Sequence, residues 1–523
     1  MSSGAWAKRR RLILPAVSLL GIGLRLWGIN FGLPYLYHPD EPVKVEVAQG
    51  ILKTGSLDIH YFRKPPFYSY LNALAYFPYL AVRHLVGDAI SIQSLEPPVM
   101  EALATGFTPQ PSTFLLGRLL SALFGSLCIP MVYLLTQRLF ADTAAALLAA
   151  GLVALSPGLI PHSRYMTPDS MVVFFCLLTV YTSIAVYRRG SSMDYALAGA
   201  AGALAASAKY DAVLVLVAPV AAHILSGGFR AGLRNTKIWI CVASALVTFV
   251  VLNPVAVFSF REFYLGASQE AAHYAEGHLG MEGGAPLWYV GYFVSTEGLI
   301  ALLGVIGLIA GCLKRSKESI LLAAFPVVFF VFISSFAVRN DRTAIPITPF
   351  LYIFGALWLV ELPRPDANGF SYARARTVLV PVVAGLMLLG AAIHSIVKTV
   401  PFVTVDGRET ARVWIQDHFE RGTKFGVEGY SPYIDPRRYH VFGLVSLIDE
   451  RLAWYQAANI EYVVASQGMY KRFFEEPRLY HAEVRAYEHL FSSFELVKTF
   501  DDGGFEVRIY RVPPRRSENE ADK

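Results

Sequence analysis

The sequence predicts a mostly α-helical, polytopic membrane protein of about 11 transmembrane helices with a C-terminal α/β soluble domain. Three observations carry this expectation. Of 523 residues, 54% are hydrophobic and only 16% charged, against roughly 25% charged in a soluble protein. Apolar windows of about 20 residues, enough to cross a hydrocarbon core of ~30 Å, recur as far as residue 397. Beyond residue 402 the pattern changes to short helix and strand signals.

The first span is expected at 11–30. Its apolar run is long and no Ala-x-Ala cleavage site follows, so it reads as an uncleaved signal anchor. Lys8, Arg9, Arg10 and Arg11 place its start in the cytoplasm. Further spans are expected at 115–137, 142–162, 169–187, 194–208, 211–227, 238–258, 287–311, 319–338, 343–361 and 377–397. Alternation then puts Arg138, Arg188, Arg189, Arg230, Arg234, Lys237, Lys314, Arg315, Lys317, Arg364, Arg374 and Arg376 inside. Residues 67–87, FYSYLNALAYFPYLAVRHLVG, are apolar enough to cross. A crossing there reverses every later basic cluster, so the segment is expected to lie along the outer interface, where its aromatic residues suit a belt.

From 402 onward, RETARVWIQDHFERGTKFGVE reads as a helix, a stop at Gly422 and a strand. NIEYVVAS reads as a buried strand, YHAEVRAYEHLFSSF as a helix, and ELVKTF, a DDGG turn and EVRIYRV as a β-hairpin. The expected organisation is a transmembrane catalytic domain at 1–400, with an external loop at 31–114 carrying juxtamembrane helices. An extracytoplasmic α/β domain follows at 401–515, then a disordered tail at 516–523. The expected location is the cell inner (plasma) membrane, multi-pass, with the C-terminal domain outside.

The formal charge of +6 is small for this length, and no nucleic-acid partner is expected. Cys128, Cys176, Cys241 and Cys312 lie in apolar stretches without a CxxC pattern and read as buried hydrophobes.

The chemistry is concentrated outside. Asp40 and Glu41 follow the first span, and carboxylates so close to a membrane-embedded segment are costly unless they line a polar cavity. An ionised carboxylate there can take a proton from a hydroxyl; alternatively, Asp40 caps the helix that begins at Glu41. Arg63 and Lys64 precede Pro65-Pro66, and two cations can pair with a phosphate or diphosphate. Arg164, in the run HSRYMTPD, stands at a helix end where a lipid phosphate lies; Asp169 of the same run either caps the next helix or faces the cavity of Asp40. Arg342, in RNDRTAIPITP, reads as a phosphate grip or as part of a capped helix start. His273 and His278 share an external loop with Glu270, Glu276 and Glu282. His278 is the candidate ligand for a divalent metal, although the spacing matches no strong motif and a solvated polar loop is the favoured reading. Glu297 falls within an apolar window and is a cavity candidate.

The order of these motifs resembles that of GT-C glycosyltransferases of the protein O-mannosyltransferase and aminoarabinose transferase type. The acidic pair is followed by KPPF, GRLLSALFGSLCIPMVYLLTQRLF, SRYMTPD and DRTAIPITP, across about 11–361. The resemblance implies inverting transfer of a sugar from a polyprenyl-phosphate carrier to an acceptor hydroxyl on the extracytoplasmic face. It implies Asp40 as general base, Lys64 and Arg342 as phosphate ligands, and Asp169 as a further cavity acid. Arg63 stands where the aminoarabinose branch has an acidic residue, and the MIR domain of eukaryotic mannosyltransferases is absent from this sequence. A polyprenyl-phosphate-linked sugar and membrane lipids are therefore the expected partners; a protein, lipid or glycan acceptor is left open, and no cofactor is required beyond the metal considered above. Two other classes compete: a lipid-linked sugar transporter or flippase, and a non-catalytic subunit of envelope assembly. Transporters place charges near the midplane, whereas here most acids lie at the outer interface.

Overall fold

The computed structural model describes residues 3–87, 106–108, 110–227, 235–361 and 370–515. The tail at 516–523, most of the loop at 88–112, and Arg230, Arg234 and Arg364 lie outside the described residues. For Lys8 to Arg11, Arg374 and Arg376 only the backbone is described.

The chain is a multi-pass membrane protein built around a helical bundle. Among the described residues, the apolar helical segments Pro111–Phe140, Asp169–Arg188, Tyr210–Gly227 and the one beginning at Val378 are long and apolar enough to cross a bilayer. Shorter apolar helices, among them Thr143–Ala154, Ile238–Leu252, Leu299–Leu313 and Thr348–Glu361, stand with them. Small residues bring these helices close. A Cβ on Gly304 would lie 2.5 Å from the Leu351 carbonyl oxygen, and one on Gly307 2.4 Å from that of Phe354. The helices Leu299–Leu313 and Thr348–Glu361 therefore meet backbone to backbone, a contact available only to glycine at these two positions.

Several expected continuous helices are broken. The segment expected at 287–311 divides into Ala285–Glu297 and Leu299–Leu313, because Gly298 adopts φ 71° and ψ −149°. The segment at 142–162 stops at Ala154 and resumes as Leu159–His162; Pro157 lies in the interruption and lacks the donor that a continuing helix needs. The segment at 211–227 opens as a 3₁₀ turn, Tyr210–Leu216, before the helix Val217–Gly227. Residues 343–361 begin as the single turn Asp341–Ala344, with Pro346 before the helix Thr348–Glu361. The breaks at Leu159–His162, Tyr210–Leu216 and Asp341–Ala344 set His162, Lys209 and Arg342 around one cavity, whereas the break at Gly298 borders a different cleft.

Two helices, Glu41–Thr54 and Phe67–Leu85, lie next to that end and pack through Ala48, Ala73, Tyr76 and Leu80. Phe67 and Tyr68 belong to the main core of the bundle. Tyr76 donates its hydroxyl to the Thr113 carbonyl at 3.1 Å, tying the second helix to the start of Pro111–Phe140.

The C-terminal α/β unit contains β1 (Lys424–Val427), β2 (His440–Gly443), β3 (Tyr462–Ser466), β4 (Glu495–Phe500) and β5 (Val507–Arg511). The strand order is β2-β1-β3-β5-β4. β1 pairs in parallel with β2 and β3, while β5 runs antiparallel to β3 and β4. Alternation along β3 gives the sheet two cores: Val463 and Ala465 join Tyr455, Tyr487 and Tyr510, while Val464 joins Phe425, Val507 and Ile509. The helices Gly407–His418 and His481–Ser493 contribute Ile415 to the second of these cores and Tyr487 to the first.

Candidate active site

A cavity of about 690 Å³ lies where the broken helix ends meet the C-terminal unit. That size suits a small ligand. It is lined by Asp40, Arg63, Lys64, Asp169, His278 and Arg342, six of the residues singled out from the sequence. They come from stretches up to 302 residues apart.

Asp40 sits at the N-cap position of Glu41–Thr54 with helical φ of −86° and ψ of −15°, and its side chain makes no capping bond. The carboxylate instead accepts a hydrogen bond from Arg342 Nη1. Burial disfavours the charge on Asp40, but the Arg342 guanidinium outweighs it and holds the carboxyl well below the usual carboxylate range. Arg342 reaches the cavity from the turn Asp341–Ala344. Asn340 starts that turn by accepting the Thr343 N–H at 2.9 Å. Its neighbour Asp341 lies 3.3 Å from His162 Nε2.

Lys64 donates to Glu270, and Arg63 Nε lies 3.3 Å from the other oxygen of the same carboxylate. Pro65 and Pro66 set the backbone leading into Phe67–Leu85, with Pro66 at the N-cap. Asp169 opens the helix Asp169–Arg188, and Lys209 Nζ stands 3.8 Å from it and 3.7 Å from Asp211.

The expectation of a solvated loop around Glu270 and His273 is corrected. Phe260–Glu276 is a helix, and Glu270 is an ion-pair partner within the cavity wall. His278 follows that helix, its ring centroid 5.1 Å from that of His273. Among the described residues no group of three or more His, Cys, Asp or Glu side chains converges to hold a metal. The described donors around His278 therefore do not fit a metal site.

Two other expected site residues face elsewhere. Glu41 is fully buried and does not line the cavity. Arg118 Nε and Nη2 grip its two oxygens at 2.9 and 2.7 Å, and the Met166 N–H adds a bond at 2.8 Å. A carboxylate saturated in this way is a structural anchor between the helix Glu41–Thr54 and the bundle. Arg164 is also buried. It donates to the Leu24 carbonyl at 2.6 Å and to Thr399 Oγ1 at 2.9 Å, and it stacks on the Phe402 ring at 4.7 Å. Those contacts close the bundle and leave Arg164 off the cavity wall. Glu297 is held by Tyr352 and Ser156 and borders a separate cleft.

The structure adds residues that the motifs did not single out. Lys44 lines the cavity one helical turn after Asp40, a spacing that places both on one face. Arg408, from the C-terminal unit, is stacked between the rings of Tyr37 and Phe505, each 4.0 Å away, and pairs with Asp406 at 2.7 Å. Tyr430, Gly503 and Gly504 complete this outer wall. No aromatic residue flanks Arg408 in the run VTVDGRETARV, and its ring partners lie far away in the chain, so the linear sequence carries no signal for it.

Residues 101–268 match the family model of dolichyl-phosphate-mannose-protein mannosyltransferase. A curated relative, protein O-mannosyl-transferase 1 of Danio rerio, is 36% identical over 75 residues; these make up 14% of this chain and only 10% of that protein. Among solved structures, ArnT from Cupriavidus metallidurans bound to undecaprenyl phosphate superposes with a TM-score of 0.50 at 15% identity, over 97% of this chain and 98% of that one. The archaeal oligosaccharyltransferase AglB from Archaeoglobus fulgidus, in complex with an inhibitory peptide and a dolichol-phosphate, superposes with a TM-score of 0.51 at 14% identity, over 89% and 70% of the respective chains. The chain thus shares the fold of these membrane proteins, and within 101–268 its sequence resembles the mannosyltransferase family.

Proposed function

We propose that this chain, which has the GT-C fold, is an integral membrane glycosyltransferase that moves a sugar from a polyprenyl-phosphate carrier to an acceptor hydroxyl. The observation that carries the reading is the meeting of Asp40 with Lys64 and Arg342 in one cavity. Asp40 is the general base: it takes the proton of the acceptor hydroxyl as that oxygen attacks the anomeric carbon. The bond from this carbon to the phosphate oxygen breaks, and the carrier leaves as polyprenyl phosphate. Lys64 and Arg342, with Arg63 beside them, stabilise the charge gathering on that phosphate. Attack from the face opposite the phosphate inverts the anomeric centre. Asp169, paired with Lys209, is the further acid of the cavity wall.

We place this chemistry on the extracytoplasmic face of the inner membrane, with the N-terminus inside and the C-terminal unit outside. The distribution of basic clusters supports that placement, and it sets Asp40, Lys64, Asp169 and Arg342 on one side. The undecaprenyl phosphate bound to ArnT and the dolichol-phosphate bound to AglB, two proteins of similar fold, support the donor class. The test is reconstitution of the protein in vesicles with mannosyl- or aminoarabinosyl-polyprenyl phosphate and a mixture of envelope acceptors. The expected result is release of polyprenyl phosphate with a product of inverted anomeric configuration. Retained configuration, or no carrier release with any polyprenyl-phosphate sugar, overturns the reading.

A further inference from the structure

Each cation on the cavity wall except one is already matched to a carboxylate. Arg342 pairs with Asp40, Lys64 and Arg63 with Glu270, Lys209 with Asp169 and Asp211, and Arg408 with Asp406. Lys44 is the exception. Among the described residues no carboxylate lies within ion-pair distance of it, yet the residue is only 7% exposed and lines the cavity. Its ammonium stands 5.0 Å from the centre of the Tyr61 ring. A buried cation without a counter-charge is costly to hold. At this position it is surplus positive charge presented to whatever anion enters.

We propose that Lys44 is a third phosphate ligand of the donor carrier, the uncompensated charge that captures the phosphate before Lys64 and Arg342 exchange their carboxylate partners for it. This rests on the glycosyltransferase reading and goes beyond the resemblance, which points to Lys64 and Arg342. The neighbourhood fits: the charged groups acting on Lys44 are Lys64, Asp40, Arg342 and Glu270. Burial, and then Lys64, pull its ammonium down to about 8. The ammonium is therefore present below that pH and lost above it. The second proton of a phosphate monoester, with a pKa of about 6, is already gone at pH 7.5. The ligand's charge is then constant from pH 7.5 to 9, and only the site titrates. Tyr61 remains protonated through this window because burial raises its hydroxyl above its ordinary value. Tyr274, on the same cavity wall, is opposite: burial raises it, but Lys209, Lys64 and Arg342 together bring it below its ordinary value.

The test is equilibrium binding of polyprenyl monophosphate to the full chain in nanodiscs, with phosphatidic acid and inorganic phosphate as competing arms. Lys44→Gln is expected to weaken binding by about tenfold or more at pH 7.5, the loss of one charge-assisted contact. Lys44→Arg should restore most of it, and the melting midpoint of Lys44→Gln should hold or rise, since the variant no longer buries an unpaired charge. The wild-type affinity should fall between pH 7.5 and 9, and more steeply than that of Lys44→Gln. Lys44→Met, which keeps the apolar stem, replaces the glutamine variant if the latter does not fold. Wild-type affinity in the neutral variant overturns the proposal. So does equal competition by phosphatidic acid, which makes the site one for lipid headgroups. If Lys64→Gln weakens binding while Lys44→Gln does not, only Lys44 is wrongly assigned. If wild type binds no polyprenyl phosphate, the glycosyltransferase reading falls with it.

Discussion

Arg342 donates a hydrogen bond to Asp40 across 302 residues of chain, so the group assigned to the phosphate and the group assigned to the proton hold each other. A carboxylate clamped by a guanidinium is a weak base. On the proposed reading, a donor that draws Arg342 onto its phosphate loosens the clamp and makes Asp40 competent as the sugar arrives. Asp40→Asn should lower transfer roughly 10²–10⁴-fold while the protein inserts and purifies normally. Because the substitution also frees Arg342, donor affinity should hold or improve. Near-wild-type turnover in this variant removes Asp40 from the role of base.

Lys64 and Glu270 allow a test with opposite signs. Lys64→Ala should weaken binding of a polyprenyl-phosphate donor analogue by about 1.5–3 kcal/mol. Glu270→Gln removes the competing carboxylate and should tighten it. If both variants titrate like wild type, Lys64 does not touch the phosphate.

Glu41 and Arg118 should behave differently from either pair. Both are fully buried and bound bidentately. Arg118→Ala leaves a carboxylate stranded and should cost about 3–5 kcal/mol of stability, read as a large drop in melting temperature. The double change Glu41→Gln with Arg118→Met should recover much of that loss. A melting temperature unchanged by Arg118→Ala contradicts the anchoring role.

These pairs show what was legible in the sequence. Apolar length gave the membrane class, and the order of short motifs gave Asp40, Lys64 and Arg342. The motif around 40–41 could not say which of two adjacent carboxylates faces the cavity. Residues one apart on a helix point in different directions, and only the partner across space, Arg342 or Arg118, decides. Arg164 was misplaced for a related reason: a charge at a helix end can turn toward the bundle when carbonyls such as that of Leu24 await it. Lys44 was overlooked because its meaning lies in the absence of a neighbour, which a linear string does not display. In the C-terminal unit, the apolar run of β3 and the DDGG turn before β5 announced the strands, since each depends on local chemistry.

Glu428 offers a dependence on pH. Its carboxylate is 3% exposed and accepts bonds from the Ser466 N–H at 2.7 Å, the Leu447 N–H at 3.0 Å and the Tyr487 hydroxyl at 2.6 Å. Burial outweighs these donors and pushes the group up from 4.5 to about 7. The folded chain then keeps a proton that the unfolded chain loses between about pH 4.5 and 7, and stability falls across this window by an amount on the order of 3 kcal/mol. Melting curves of wild type and Glu428→Gln at pH 5 and 7.5 check this. The advantage of wild type over the variant should shrink at the higher pH; a constant difference means Glu428 titrates normally.

The orientation can be read with single cysteines. Ser492→Cys and Lys314→Cys both lie at exposed positions. An impermeant thiol reagent applied from outside should mark the first and spare the second. The reverse pattern inverts the membrane assignment and moves the cavity to the cytoplasmic side.

The cavity is walled on one side by the bundle and on the other by Arg408, Tyr430 and Phe505 of the C-terminal unit. On the glycosyltransferase reading, replacing Tyr430 or Phe505 should change which acceptor approaches while Lys64 and Arg342 stay in place. An enzyme so arranged would take on a new clientele by editing its C-terminal sheet, with the cations of the bundle left as they were. A graft of this unit between related chains, cut at the loop before Asp406, is therefore a direct route to redirecting where the sugar goes.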